Sequence, residues 1–424
     1  MLDIKFVKEN IDLVKENMRK KNREDLGIVD EVMDLDAKWR KLKYDEDDLR
    51  SLRNKVSAEV AELKKKGENA ASKLKEAKEI PGKIDKVETR RKKLEVGIRE
   101  IMMRIPNIMD NSVPLGKSDA DNVEIARYGE AKVPAYEVRH HADIAAGLGG
   151  LDLESSRRTS GHGFYFLRGP VAQLHFAILT YAKDFMVKKG FELCIPPFMI
   201  RKDIVDGVMS FEEKDAMMYK IEDEDLYLIG TSEHSMIGMF KGQTLREIDL
   251  PQKITGYSAC FRKEKGEHGI EEKGIYRVHQ FEKQEMVVVC RPEESMKMYD
   301  EMLGCTIDFF KSLGIPVRAL EICSGDLGDL KVKSCDVEAW SPRRKEYFEV
   351  GSCSNLTDAQ ARRLGIRVDT GKEKYFAHTL NNTVVASPRA LIAVLENFVQ
   401  EDGSVIVPEV LVSYMGGMDR ISRK

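Results

Sequence analysis

GYSACFRKEKGEHGIEEKGIYRVHQFEKQE, residues 256–285, is the stretch on which the reading of the whole chain turns. It opens on a hydrophobic run that ends in Arg262, with Glu264 two places on. A loop rich in glycine and charge follows, over residues 263–274. The chain then returns through Ile275, Arg277, His279 and Phe281, alternating with Tyr276, Val278 and Gln280 as a strand would. Two strands joined by a long loop make a hairpin whose tip can fold over a ligand. Arginine grips phosphate or carboxylate through two parallel hydrogen bonds from its planar fork. A phenylalanine on the return arm gives a base a flat apolar face, worth roughly 1–3 kcal/mol in stacking. These residues read as a nucleotide clamp; the alternative is an ordinary antiparallel hairpin with surface charges.

Working outward, 424 residues suffice for two or three domains with substantial cores. Hydrophobic residues at 42% beside 33% charged ones exclude a disordered chain and point to a soluble globular protein. The charged start, MLDIKFVKENIDLVKEN, does not read as a secretory signal, and no apolar run approaches the roughly 20 residues that span a bilayer. No membrane association and a cytoplasmic location are therefore expected. Seven cysteines, at 194, 260, 290, 305, 323, 335 and 353, are scattered singly without a C-x-x-C pair, so reduced thiols are expected and neither a disulfide framework nor structural zinc. The net charge of −3 conceals an asymmetry: residues 1–105 hold 28 Lys/Arg against 23 Asp/Glu, the remainder 41 against 49. A basic arm on an acidic body suits a polyanionic partner that touches the arm, although charges on a long helix can equally do no more than solvate it.

Residues 1–25 read as a short helical cap. From Ile28 the pattern becomes heptad-like, with Ile28, Leu35, Leu42, Leu49, Val56 and Leu63 seven apart. The companion position is apolar at Val32, Trp39 and Val60 but not at Glu46 or Arg53. A second series runs through Ile80, Ile84, Val87, Leu94, Ile98, Ile101 and Ile105, lapsing at Arg91. Sustained spacings of three and four argue for a coiled coil, and Gly67 with Asn69 supplies the reversal into an antiparallel helical hairpin. At about 1.5 Å per residue, two arms of roughly 35 residues reach on the order of 50 Å. Pro81-Gly82 is expected to kink or interrupt the second arm. The hairpin could be a dimerisation rod or spacer, or could grip RNA by shape and backbone.

Beyond about residue 131, short apolar or alternating segments lie between Gly/Pro punctuation, without the regular helix alternation of a βαβ fold. An α+β body with a mainly antiparallel sheet flanked by helices is expected. Residues 269–274 have P-loop spacing but are followed by Ile275-Tyr276 where Lys-Ser/Thr is needed, which disfavours a P-loop site. Gly169-Pro170 opens an apolar helix leading into FELCIPPFMI, a strand expected at a sheet edge because of Pro196-Pro197. LYLIGTSEHSM sets Thr231 and Glu233 just after a strand, where a carboxylate beside a hydroxyl can receive an ammonium group, or Glu233 can merely cap a helix. Glu285 follows Phe281 by four, on the same face of a strand. EYFEVGSCSNLTDAQARR holds Glu349 and Ser352. In TLNNTVVASPRALIAVLENF, Pro388 opens a helix and puts Arg389 at its N-terminus, where a cation is unfavourable unless an anion neutralises it.

The Arg-x-Glu of GYSACFRKE and the Arg-x-x-x-Phe of YRVHQFEKQE resemble the second signature motif of class II aminoacyl-tRNA synthetases, and those of seryl-tRNA synthetases in particular. The resemblance covers nearly the whole chain, and all three class motifs occur in order. It implies a helical arm over 1–105 that grips tRNA(Ser), a linker over 106–130 and a catalytic domain over 131–424. It implies serine activation by ATP and transfer to tRNA(Ser), with tRNA(Sec) as a second acceptor, in a homodimer formed through the 169–200 region. For the site it implies Arg262, Glu264, Lys273, Phe281, Glu349, Ser352 and Arg389 at ATP, with Glu349 and Ser352 holding Mg²⁺. Thr231, Glu233, Arg262, Glu285, Asn381 and Thr383 are implied at serine; Arg262, Glu285 and Arg389 would carry the catalysis. Lys273 stands where many relatives have arginine, so a point charge replaces a fork there. The other readings are a paralogue that loads a carrier protein, a non-catalytic RNA-binding regulator and a coiled-coil scaffold, the last of which ignores about three quarters of the chain.

Overall fold

The computed structural model describes residues 1–264 and 274–423. Lys273 lies outside the described residues. The chain divides into two compact units, one of Leu2–Arg19 with Arg23–Pro106, the other of Met1, Lys20–Asn22 and Asn107–Lys424.

In the first unit, short helices at Ile4–Glu9 and Ile11–Lys20 precede two long ones, α1 at Gly27–Lys66 and α2 at Ala71–Met102. Gly67 ends α1 in the left-handed conformation at φ 70°, which glycine adopts without penalty. Val56 is buried against Ile80 and Ile84, with Leu49 and Val60 beside them. Two of the three polar lapses in the heptads answer each other: the Arg91 Nε donates to Glu46 Oε2 at 2.7 Å, and Arg50 Nη2 to Oε1 at 2.7 Å. One correction concerns Pro81-Gly82, which does not interrupt the arm: α2 runs through Pro81 unbroken. A mid-helix proline costs about 3 kcal/mol. Burial of Ile80 and Ile84, at about 1.5–3 kcal/mol each, is enough to offset it.

The second unit is built on an eight-stranded sheet. In chain order its strands are β1 Val123–Tyr128, β2 Glu192–Cys194, β3 Gln252–Phe261, β4 Gln280–Cys290, β5 Val317–Glu321, β6 Lys333–Ser341, β7 Glu346–Thr357 and β8 His378–Ala386. Their order in space is β1-β5-β6-β7-β8-β4-β3-β2, antiparallel throughout except for the β2–β3 pair. The expected α+β body with a mainly antiparallel sheet is what forms. Residues 123–128, within the stretch read as linker, contribute edge strand β1. Helices α3 Gly169–Lys188, α4 Phe211–Met217, α5 Ser232–Gly238, α6 Ser295–Ser312, α7 Ala359–Leu364 and α8 Ser387–Phe398 complete the frame used below. Pro170 and Pro388 occupy the first turns of α3 and α8, where a missing N–H costs nothing. The largest core joins α3, α6 and α8 to one face of the sheet through Leu174, Ile178, Tyr299, Phe309, Leu391 and Val394.

Two expectations about strands need correction. Pro196-Pro197 follows β2 instead of lying in it; β2 itself is the edge strand. The return arm of the hairpin is not a strand from residue 275: β4 begins at Gln280, opposite Phe261. The reason is competition for backbone donors. Ile275 N–H bonds to His141 Nε2 at 3.2 Å and His279 N–H to Gly163 O at 2.8 Å, so residues 275–278 are drawn off the sheet, while the His279 carbonyl still accepts from Arg262 N–H at 2.9 Å. Gly274 (φ 101°) permits this, since a Cβ there would lie 2.2 Å from His141 Nε2. None of the seven cysteines is in a disulfide. Among the described residues no helix is long and apolar enough to cross a membrane.

Candidate active site

Strand alternation decides which side chains meet on one face of the sheet. Along β4, Phe281, Lys283 and Glu285 stand at every second position. On β8, Asn381 and Thr383 do the same, and Thr383 lies directly opposite Glu285. The Thr383 hydroxyl donates to Glu285 Oε1 at 2.8 Å, and Lys283 forms an ion pair with the same carboxylate. Glu349 and Ser352 are three apart on β7, a spacing that would put them on opposite faces of a regular strand. A bulge between the pairs Val337–Gly351 and Glu338–Glu349 absorbs Val350 as an extra residue. Ser352 then faces Asp336 and Glu349 faces Glu338, two residues apart on β6 and so on one side.

A cavity of about 380 Å³ opens over this surface. Arg262, Glu264, Phe281, Glu349, Thr383 and Arg389 all line it, from segments far apart in sequence. Glu285 is tied to this lining through Thr383 and Lys283. Arg262 lies over the Phe281 ring at 5.3 Å and donates from Nε to Gly230 O at 3.2 Å. Glu264 takes the left-handed backbone at φ 48° and accepts from Arg277 Nη1 at 3.3 Å, closing the two arms of the hairpin. Arg389, in the first turn of α8, finds the anion its position demands in Glu349: Nη1 donates to Oε2 at 2.7 Å. Its guanidinium also sits 4.8 Å from the centre of the Tyr276 ring, whose neighbourhood includes Arg344 at 4.9 Å.

The remaining residues form a second cluster. Thr231 caps α5, accepting from Glu233 N–H at 3.3 Å, so the threonine and not the glutamate is the cap. Glu233 Oε1 accepts from Asn381 Nδ2 at 2.8 Å and from Gln360 Nε2 at 2.9 Å. Thr231, Glu233, Asn381, Glu285 and Ser352 are not part of the cavity wall itself. Burial pushes the Glu233 carboxyl up to about 7, with the charge of Glu285 adding to it. Burial pushes neighbouring His234 down to about 3, which keeps it neutral beside Arg262 and Lys283. Arg389 holds Glu349 well below the usual carboxylate range, whereas burial and then the charge of Glu349 push Asp336 up.

Among the described residues no three His, Cys, Asp or Glu side chains gather as a metal cage. What β7 offers is one ionised carboxylate and a nearby hydroxyl. That donor set fits Mg²⁺, which keeps several waters and bridges phosphates. Residues that sequence reasoning passed over are Lys283, Tyr276, Asp336 and Gln360. Lys283 was legible, since it lies between Phe281 and Glu285 at the strand period; Asp336 and Gln360 carry no local signal and depend on register and helix packing.

A mainly antiparallel sheet with two arginines and a phenylalanine converging on one cavity defines a class II aminoacyl-tRNA synthetase core. Residues 219–398 match the tRNA synthetase class II core domain (G, H, P, S and T), and residues 1–109 match the Seryl-tRNA synthetase N-terminal domain. A Serine--tRNA ligase from Methanocella arvoryzae is 42% identical over 423 residues, covering 99% of this chain and 100% of that one. The Pyrococcus horikoshii Serine--tRNA ligase is 40% identical over 439 residues, 98% of this chain and 96% of its own. The crystal structure of seryl-tRNA synthetase from Pyrococcus horikoshii complexed with ATP superposes with a TM-score of 0.94 at 39% identity, with all of both chains covered. The chain belongs to the seryl-tRNA synthetase family.

Proposed function

We propose that this chain activates L-serine with ATP to seryl-adenylate and pyrophosphate, then passes the seryl group to the 3′-terminal ribose of tRNA(Ser), with tRNA(Sec) as a second acceptor. The observation that carries this reading is the single cavity lined by Arg262, Phe281, Thr383 and Arg389, with Glu285 behind it. Adenine stacks between Phe281 and Arg389, and Arg262 spans the α-phosphate and the serine carboxylate. Glu264 and Lys273 complete the nucleotide contacts. Mg²⁺, held by Glu349 and Ser352, neutralises phosphate charge when bound. Glu233 with Thr231 receives the serine ammonium, and Asn381 holds the Glu233 carboxylate through its own amide. Glu285 and Thr383, already hydrogen-bonded to each other, read the serine hydroxyl.

The chemistry needs no general base, because the serine carboxylate is ionised at pH 7. Rate comes from in-line positioning and from charge neutralisation at the phosphates. Rejecting alanine follows from polar groups left unpaired when the hydroxyl is missing. Residues 1–105 supply the tRNA grip and 131–424 the catalysis, while the 106–130 linker ends in edge strand β1 of the catalytic sheet. Exposed Phe176 (59%) on α3 and Ile195 (75%) beyond β2 supply an apolar surface for a homodimer.

ATP–pyrophosphate exchange measured against all twenty amino acids tests this reading. Exchange that depends on serine, with charging of tRNA(Ser), is the expected result. Exchange without charging would favour a carrier-protein loader, and no exchange with any amino acid would favour an RNA-binding regulator.

A further inference from the structure

Gln360 on α7 is fully buried, yet every polar atom of its amide is engaged. Its Nε2 donates to Glu233 Oε1 at 2.9 Å and to the backbone oxygen of Val208 at 3.0 Å. Its Oε1 accepts from the Thr379 hydroxyl at 2.7 Å. The orientation of this amide is not arbitrary. Two of its three partners, a carboxylate and a carbonyl, can only accept, so the nitrogen end must face them. Thr379 on β8 then donates to the oxygen end and locks the amide from behind. Asn381, two residues further along β8, brings a second amide donor to the same Glu233 oxygen at 2.8 Å. Both donors converge on the one oxygen, Oε1.

We propose that Gln360 is a positioning residue for serine selection: clamped by Thr379 and Val208, it orients the Glu233 carboxylate toward the substrate ammonium and favours its ionised form. This inference rests on the assignment of Glu233 to the ammonium. The need for such a donor is physical. A carboxylate out of bulk water loses its charge unless hydrogen bonds to the charged form hold it. Burial raises the Glu233 pKa, and the Gln360 bond acts against that rise. The other charges felt there are Glu285, which adds to the rise, and Lys283 and Lys331, which oppose it; His234 stays neutral. Gln360 touches Glu233 and not the nucleotide cavity. Its loss is therefore felt at serine alone.

The test is ATP–pyrophosphate exchange by the full chain and its Gln360→Leu and Gln360→Glu variants, with KM for serine and for ATP determined separately from pH 6 to 9. The expected result for Gln360→Leu is a rise in serine KM of about ten-fold or more, the scale of one hydrogen bond to a charged group. ATP KM should stay within about two-fold, and the pH at which serine affinity rises should move up by about one unit. Gln360→Glu should show a still larger upward move, because a second carboxylate faces the first. If Gln360→Leu fails to fold, Thr379→Val unlocks the same amide while leaving its nitrogen partners in place, and the upward pH move should persist in smaller form. Equal rises in both KM values with an unmoved pH profile would reduce Gln360 to a packing residue and overturn the proposal. So would wild-type serine KM in the Gln360 variants while Glu233→Ala loses serine use. A Glu233→Ala variant with normal serine KM would instead overturn the assignment of Glu233 itself.

Discussion

Glu233→Gln should stabilise the protein while disabling it, and the two effects should have opposite uses of the same charge. A carboxylate raised from 4.5 to about 7 by burial resists ionisation in the folded chain by about 3 kcal/mol. Below pH 4.5 the group is protonated in both folded and unfolded chains, so wild type and variant should be equally stable. Between pH 4.5 and 7 the unfolded chain ionises while the folded one does not, and wild type progressively loses stability. Above pH 7 the difference levels off near its full value. The glutamine keeps an acceptor for Asn381 and Gln360 but carries no charge, so it escapes this penalty. Thermal unfolding of both proteins from pH 4.5 to 8.5 reads the gap as several degrees in Tm, in favour of the variant and growing with pH. Adding serine should narrow the gap at pH 8 by stabilising wild type alone. Serine-dependent exchange by the variant should fall by about a hundred-fold or more, since a buried ion pair loses one partner. A gap that is constant in pH, or largest near pH 5, would refute the placement of this carboxylate and its role together.

Other outcomes follow from the same geometry. Thr383→Val removes a hydroxyl bonded to Glu285 at 2.8 Å; kcat/KM for serine should fall by about ten-fold or more while that for alanine holds, which competition exchange assays will show. In the helical arm, Glu46 is buried and accepts from both Arg91 and Arg50. Glu46→Ala should cost the arm about 1–2 kcal/mol in a calorimetric unfolding scan, since the half-exposed Arg50 can turn to water, and Glu46→Leu with Arg91→Leu should restore most of it. Deleting residues 28–105 should spare exchange and abolish tRNA charging, as measured with radiolabelled serine; loss of both would undo the division of labour.

The regions of the chain differ in how much of their structure is legible in the sequence. Heptad spacing in the arm was plain, but its polar positions looked like defects until Glu46 and Arg91 were seen to satisfy each other across the hairpin. Pro81 was read by a local rule that Ile80 and Ile84 override through packing. In the body, the Arg-x-Glu, Arg-x-x-x-Phe and Pro-Arg patterns marked residues that do converge on one cavity. Alternation from Ile275 to Phe281 suggested a strand because the hydrophobic pattern cannot reveal that His141 and Gly163 capture the backbone instead. The E-x-x-S spacing made sense only once the bulge at Val350 put both side chains on one face. Gln360 carries no trace in its own neighbourhood; its role depends on where α7 packs.

On the function proposed for this chain, Arg262, Phe281 and Arg389 enclose one ATP. A crystal structure with a non-hydrolysable ATP analogue and Mg²⁺ measures this directly. Adenine should lie stacked on Phe281 with Arg389 on its other face, and the α-phosphate at Arg262. Nucleotide bound away from the cavity these three line, or adenine lying clear of Phe281, would contradict it.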